Sequence, residues 1–218
     1  MAITERDKKI VYWINKHGFA TAEQVGKEFG MSKTAVYRRL KGMVDEGLLK
    51  HGRVLADIAG VYWVTNNGVE LSESKLSAGK KPGAATLAHD LKMIDLSMYL
   101  LKEYENCTWL TAREMKSMQM KEAEKTGENK FAVLGSRVPD GVLVMGGQYY
   151  AVELELTLKN RKRIKGIVDD YAKRMARGEF ASVIYYYDKE SVARVLHEEV
   201  ASKAVVRRFQ FFEVPKDI

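Results

Sequence analysis

Apolar positions at Ile10, Val11 and Ile14, introduced by Thr4 and closed by Gly18, predict a short first helix. Thr21 with Gln24 three residues later has the spacing of a reciprocal N-terminal cap and opens a second helix ending at Gly30. Ser32 caps a third, whose apolar stripe is Val36, Leu40, Met43 and Val44 and which Gly47 ends. Leu48 to Lys50 and Val61 to Val64 then predict two strands around a loop through Gly52, Arg53 and Gly60.

The order changes after a polar, small-residue stretch, Ser72 to Ala85, which has Pro82 inside it, lacks apolar periodicity and reads as a linker. Leu91, Ile94, Met98 and Leu101 mark a helix over Leu87 to Tyr104. Strands are predicted at Thr108 to Met115, Gly141 to Met145 and Tyr149 to Leu158, with a long loop at Lys121 to Lys130. A helix from Arg161 to Arg177, a strand from Ala181 to Tyr187, a helix from Ser191 to Ala204 and a strand from Val206 to Val214 follow. The second part thus reads α-β-β-β-α-β-α-β, an α/β domain on a mixed central sheet. The expected layout is α+β in two domains: 1–71, the linker 72–85, and 86–218.

Three helices, a tight turn between the second and third, and a hairpin describe a winged helix-turn-helix, whose third helix enters the major groove of DNA. With the stripe turned inward, Ser32, Lys33, Thr34, Tyr37, Arg38 and Lys41 are left outside. Arg and Lys suit guanine edges or phosphates, Thr a thymine methyl and Tyr a phosphate. Arg53 at the hairpin tip is a candidate phosphate or minor-groove contact. The alternatives are a solvated helix face and a protein-interaction module.

In the second part, Pro139-Asp140-Gly141 precedes a strand carrying Glu153, Glu155, Thr157 and Lys159 at alternate positions. Alternation puts these on one face and Val152, Leu154, Leu156 and Leu158 in the core. Two like-facing carboxylates repel unless a cation lies between them. Asp140, Glu153 and Glu155 are therefore candidate ligands for Mg²⁺ or Mn²⁺, and Lys159 a candidate to stabilise phosphate charge or activate a water. The basic run from Lys159 to Lys165 adds Arg161 and Lys162 as candidate nucleic-acid contacts. The competing reading pairs these glutamates with Lys159, Arg161 or Lys162 on an exposed strand face.

Composition narrows this picture. The 218 residues carry 36 Lys+Arg against 29 Asp+Glu, for a net charge of +7. Residues 1–78 hold 12 basic and 9 acidic side chains, leaving 24 and 20 for the rest, so neither part is a bulk polycation. Placement, rather than net charge, points to a polyanion. The one cysteine, Cys107, excludes an internal disulfide framework, and histidines 17, 51, 89 and 197 have no zinc-ligand spacing. No Gly-rich phosphate loop and no G-x-S-x-G serine occur. The absence of an apolar run of about 18 residues or an N-terminal signal predicts a cytoplasmic protein without a membrane span.

Pro139-Asp140 followed by Glu153-x-Glu155 and Lys159 resembles the PD-(D/E)xK nuclease superfamily, the restriction-endonuclease-like fold. Glu155 stands where that motif has Lys; some restriction enzymes of the superfamily carry Glu-x-Glu, and many relatives with altered motifs are inactive scaffolds. The whole chain is also similar to the replication-relaxation family of plasmid and mobile-element proteins. That likeness runs through Thr21 to Gln24, Gly60-Val61-Tyr62-Trp63-Val64-Thr65-x-x-Gly68, His89-Asp90-Leu91, Arg113-Glu114, Pro139-Asp140-Gly141 and Val152 to Lys159. The resemblance implies a DNA-binding protein acting in replication or mobilisation. Its second domain would bind DNA, or cut it using Mg or Mn held by Asp140, Glu153 and Glu155 with Lys159 assisting. Duplex DNA, replication or transfer proteins and a second copy in a homodimer are the expected partners. The alternative is a non-enzymatic transcription regulator. His89 and Glu114 are weaker candidates, read equally well as a cap and a solvated side chain.

Overall fold

The computed structural model describes residues 2–127 and 137–218. The chain is an α+β protein with eight α-helices and a mixed five-stranded sheet among the described residues. It divides into two compact units, Met1–Met98 with Arg113–Leu134, and Tyr99–Ala112 with Gly135–Ile218.

The first unit begins with α1 (Glu5–His17), β1 (Ala20–Thr21), α2 (Ala22–Phe29), α3 (Lys33–Asp45), β2 (Leu49–Gly52), β3 (Val61–Val64) and α4 (Asn66–Ser72). The expected cap of α2 forms, and α1 has one of the same kind. The Asp7 and Gln24 backbone N–H groups donate to Thr4 Oγ1 and Thr21 Oγ1 at 3.4 and 3.1 Å, and both reciprocal bonds are present. Gly30 ends α2 in the left-handed region (φ 59°). Gly26 lies so close to the next turn that an added Cβ would sit 3.3 Å from the Met31 carbonyl oxygen. β1, β3 and β2 form an antiparallel sheet in that order, with Ala20 opposite Tyr62 and His51 opposite Tyr62 on the other side. Ile10, Ile14, Val25, Leu40, Met43 and Val64 pack into one core. Burying each side chain stabilises by about 1.5–3 kcal/mol before conformational entropy is counted.

Two elements escape the hydrophobic pattern. β1 has only two residues, too few to show a period, and α4 is mostly polar. Thr65 starts α4 by accepting from the Gly68 N–H at 3.2 Å. The segment after α4 is fastened to this unit: buried Asn15 donates to Ser74 Oγ (2.9 Å) and the Leu76 carbonyl (3.3 Å). Gly79 N–H donates to the Val64 carbonyl at 3.0 Å.

α5 (Leu87–Glu103) begins in the first unit and ends in the second. β4 (Cys107–Thr111) then enters the second unit, and α6 (Ala112–Thr126) belongs mainly to the first. The strand expected at Thr108 to Met115 therefore stops at Thr111. The loop expected from Lys121 is helical to Thr126, and its residues 128–130 lie outside the described residues. The misreading has a physical cause: α6 buries only Ala123 fully and leaves its other residues half-buried or exposed, so it carries little apolar stripe.

The second unit continues with β5 (Gly141–Met145), β6 (Gln148–Glu155), α7 (Arg161–Ala176), β7 (Ser182–Tyr187), α8 (Glu190–Val200), a 3-10 turn (Val206–Arg208) and β8 (Phe209–Glu213). Strand order follows chain order from β4 to β8; β4, β5 and β6 pair antiparallel, and β6, β7 and β8 parallel. β6 is thus the central strand, covered on both faces, and all of Ala151 to Glu155 is buried. It ends at Glu155, three residues short of the expected Leu158, and Leu158 is 55% exposed instead of in the core. No helix among the described residues is long and apolar enough to cross a membrane.

Candidate functional site

α3 places its predicted residues as a helix of this register must. Val36, Leu40 and Met43 are buried, while Ser32, Lys33, Thr34, Tyr37, Arg38 and Lys41 are all exposed along one side. Ser32 also caps the helix, accepting from the Ala35 N–H at 3.4 Å. The fourth basic residue of α3, Arg39, has a different task. It forms a two-pronged ion pair with Asp7 of α1, which is 1% exposed, and donates to the Ala2 carbonyl at 3.1 Å. Lys33, Arg38 and Lys41 have no ion-pair partner among the described residues. The helix spends one guanidinium on its own seating and presents the other three cations outward.

The hairpin of β2 and β3 adjoins this face. Tyr62, opposite His51 in the sheet, stacks on that exposed imidazole with centroids 4.3 Å apart. Burial, with a contribution from the neighbouring Tyr37 phenol, raises the Tyr62 pKa above its ordinary value. Lys50 is exposed on the same strand, and Arg53 is exposed in the loop, where it donates to the Ala56 carbonyl at 3.4 Å. Sequence reading missed Lys50 and His51. The register of β2, with Leu49 inward and the next residues outward, is the signal that locates them.

The carboxylates of the second unit do come together, but inside the protein. Gly141 pairs with Val152, so Asp140 lies level with Glu153, and Asp140 Oδ2 accepts from the Leu154 N–H at 2.9 Å. Glu153 is 1% exposed. Its Oε2 accepts from Arg137 Nη2 at 2.7 Å and its Oε1 from the Tyr171 hydroxyl. The Arg137 guanidinium also lies 5.4 Å from the Tyr171 ring centroid, and its backbone carbonyl accepts from Arg174 at 3.0 Å. Glu155, buried, pairs with Lys159, which reaches it from the loop after β6 and not from the strand face.

Burial and the nearby Asp140 charge push the Glu153 pKa up to about 7, against the opposing pull of Arg137 and Tyr171. Burial likewise raises Glu155 against the pull of Lys159. The exposed strand face of the competing reading is therefore absent, since Glu153 and Glu155 are both buried, although the Glu155–Lys159 pair of that reading does form. Of the basic run, Arg161 is paired with Glu198 at 2.6 Å, while Lys162 is exposed. Glu114 pairs with Lys16 at 3.7 Å and His89 contacts Asp90 at 3.3 Å.

This donor set does not fit Mg²⁺ or Mn²⁺ as arranged. Both Glu153 oxygens are taken by donors of the chain, and Glu155 is neutralised by Lys159. Among the described residues no group of three His, Cys, Asp or Glu is placed to hold an ion. Hard-cation sites need several carboxylate or carbonyl oxygens converging on one point.

No family model matches the chain, and no curated protein matches it. Among solved structures it is similar to the adhesin competence repressor AdcR of Streptococcus pyogenes, at 16% identity and a TM-score of 0.31 over 62% of this chain and 84% of that one. It is similar also to a mutant of Lactococcus lactis ZitR in complex with DNA, at 15% identity and a TM-score of 0.31 over 58% of this chain and 76% of that one. Likeness at this level establishes neither a shared fold nor a shared activity.

Proposed function

We propose that the chain is a duplex-DNA-binding protein whose first unit is a winged helix-turn-helix, with α3 in the major groove and the β2–β3 loop on the backbone. The observation that carries this reading is the division of labour on α3. Arg39 is committed to Asp7, while Lys33, Thr34, Tyr37, Arg38 and Lys41 form one exposed face without ion-pair partners among the described residues. Thr34, Arg38 and Lys33 are assigned to base edges and neighbouring phosphates, and Tyr37, Lys41 and Arg53 to the backbone.

The second unit is read as a restriction-endonuclease-like scaffold that binds DNA or a partner without metal-dependent cleavage. Arg137 and Lys159 already balance Glu153 and Glu155, so no cleavage step is assigned to Asp140, Glu153, Glu155 and Lys159. The resemblance to replication-relaxation proteins supports a role at an origin or transfer region of a mobile element. A transcription regulator working as a homodimer would use the same α3 face at a promoter.

Fluorescence anisotropy against a selected duplex, repeated over a salt series, tests the reading. Lys33→Ala with Arg38→Ala lowers affinity by about tenfold or more and flattens the salt dependence. Unchanged affinity and slope would remove α3 from the interface. Incubating supercoiled DNA with Mg²⁺ or Mn²⁺ tests the second unit. Nicking that disappears in Glu153→Gln would restore the nuclease reading, and footprint position separates origin, transfer region and promoter.

A further inference from the structure

The segment from Glu73 to Pro82, which reads as a linker in the sequence, is seated on the first unit by a series of specific contacts. Asn15, fully buried, holds Ser74 and Leu76. Arg113, at the start of α6, donates from Nη2 to the Ser77 carbonyl at 2.9 Å. Its side chain also packs on Gly18, where an added Cβ would lie 3.0 Å from Arg113 Cδ. Gly79 closes the series through the Val64 carbonyl. A Cβ on Gly79 would lie 2.7 Å from the Gly18 carbonyl oxygen and 3.2 Å from Trp63 Cβ, so the chain passes here only because residue 79 has no side chain.

This seating decides where the next two residues go. Lys81 Cε lies 4.0 Å from the position of a Cβ built on Gly52, at the loop end of β2, and the Trp63 ring edge is 3.3 Å from the same point. Lys80 and Lys81 are both exposed, and neither has an ion-pair partner among the described residues. Lys81 thus stands beside Gly52, the neighbour of Arg53 in sequence, on the hairpin that also exposes Lys50, and Lys80 immediately precedes it in the chain. Beyond them the chain is fastened again: fully buried Leu87 packs with Val61 and Phe19, joined by Val54, Leu55 and Ile58 of the hairpin loop.

We propose that Lys80 and Lys81 contact phosphates of the bound duplex beside the hairpin, making the Glu73–Pro82 segment a built part of the nucleic-acid interface. This rests on the reading of α3 and the hairpin as the DNA-contacting face. With Lys81 held beside Gly52, the two lysines add to the exposed cations Lys50 and Arg53 of the hairpin. Being phosphate contacts, they add affinity without sequence preference.

The full-length chain carrying Lys80→Ala with Lys81→Ala tests this by anisotropy against the selected duplex and a scrambled one over about 50–300 mM KCl, a range in which the Debye length falls from about 14 to about 6 Å. Loss of two phosphate contacts lowers the slope of log K against log salt by about 1.8, equally for both duplexes, with affinity near 0.1 M salt down by roughly tenfold or more. Gly79→Val keeps both lysines and displaces the segment, and it gives the same loss of slope while a thermal melt verifies that the chain stays folded. If wild type binds duplex and the double lysine variant has the same slope, the inference is overturned and the α3 reading stands. If wild type binds no duplex at any salt, the α3 reading fails and takes this one with it.

Discussion

Asp7 of α1 and Arg39 of α3 form an ion pair in which the carboxylate is 1% exposed and both of its oxygens accept from the guanidinium. The pair locks the proposed reading helix onto the first helix. Asp7 also closes the N-terminal cap with Thr4, whose N–H it accepts at 2.6 Å. Removing the carboxylate in Asp7→Ala strands a partly buried guanidinium and costs about 3 kcal/mol. Urea unfolding of the full chain measures this; a loss below about 1 kcal/mol would mean that solvent already screens the pair.

The same carboxylate sets an acid limit. Burial pushes the Asp7 pKa up, but hydrogen bonds from Arg39 and Thr4 outweigh it and hold the group below its ordinary value of 3.8. A depressed folded-state value contributes stability that is present above 3.8 and lost as pH falls through the folded value. Wild type should therefore lose stability relative to Asp7→Asn as pH falls below the ordinary value of 3.8. Parallel profiles for the two proteins would show that the pair does not form.

Glu153 acts in the opposite direction. Burial and Asp140 raise its pKa from 4.5 to about 7 in the folded chain. Below the ordinary value both states are protonated. Between about 4.5 and 7 the folded state keeps a proton that the unfolded chain releases, so stability falls as pH rises. The whole window amounts to roughly 3 kcal/mol. Glu153→Gln abolishes this slope, whatever it does to absolute stability. Midpoints of urea unfolding at several pH values across the window decide the matter, and an unchanged slope in the variant would assign it to another group.

Arg137 supports Glu153 from a single side chain, 27% exposed. Arg137→Met removes the cation while keeping much of the apolar stem. It leaves a buried carboxyl and the Tyr171 hydroxyl to share one hydrogen bond. A destabilisation of about 3 kcal/mol at pH 8, shrinking at pH 5 as Glu153 protonates, is expected from thermal or urea unfolding. Equal losses at both pH values would mean that only packing was lost.

Two glycines should respond oppositely to alanine. A Cβ on Gly141 would lie 1.9 Å from Trp109 Cζ2, because the indole of β4 lies across the start of β5. Gly141→Ala therefore overpacks the sheet and costs about 3 kcal/mol. Gly166 lies inside α7 with no atom within 4 Å of an added Cβ, so Gly166→Ala stabilises by about 0.5–1 kcal/mol. Differential scanning fluorimetry of both variants against wild type separates the two signs.

How far such features can be read from sequence depends on how local their causes are. Ser32, Val36, Leu40 and Met43 specify α3 and its outward face within a dozen residues, and the structure keeps that arrangement. Thr65 and Gly68, visible only as a short pattern, turn out to be a helix cap. The Glu155–Lys159 pair was open to sequence reading as the competing assignment, but the burial of Glu153 was not, because alternation along β6 describes a strand with one open face. The surroundings of Glu153 come from residues distant in sequence, with Arg137 16 positions back and Tyr171 18 positions on both reaching the carboxylate from outside the strand. Arg39 was hidden for the same reason: its partner lies 32 residues back, and nothing in the spacing of α3 marks it off from Arg38.

The first unit is assembled from two stretches of chain, Met1–Met98 and Arg113–Leu134, and β4 of the other unit comes between them in sequence. No single cut yields both units intact. A fragment ending at Met98 retains α3 and the hairpin but lacks the Arg113 guanidinium that fastens Ser77 and packs on Gly18. On the ribosome, the hairpin and its neighbouring lysines are therefore fully secured only after β4 and the start of α6 have been synthesised. Maturation of the proposed DNA-contacting face is thereby tied to production of the first strand of the second unit.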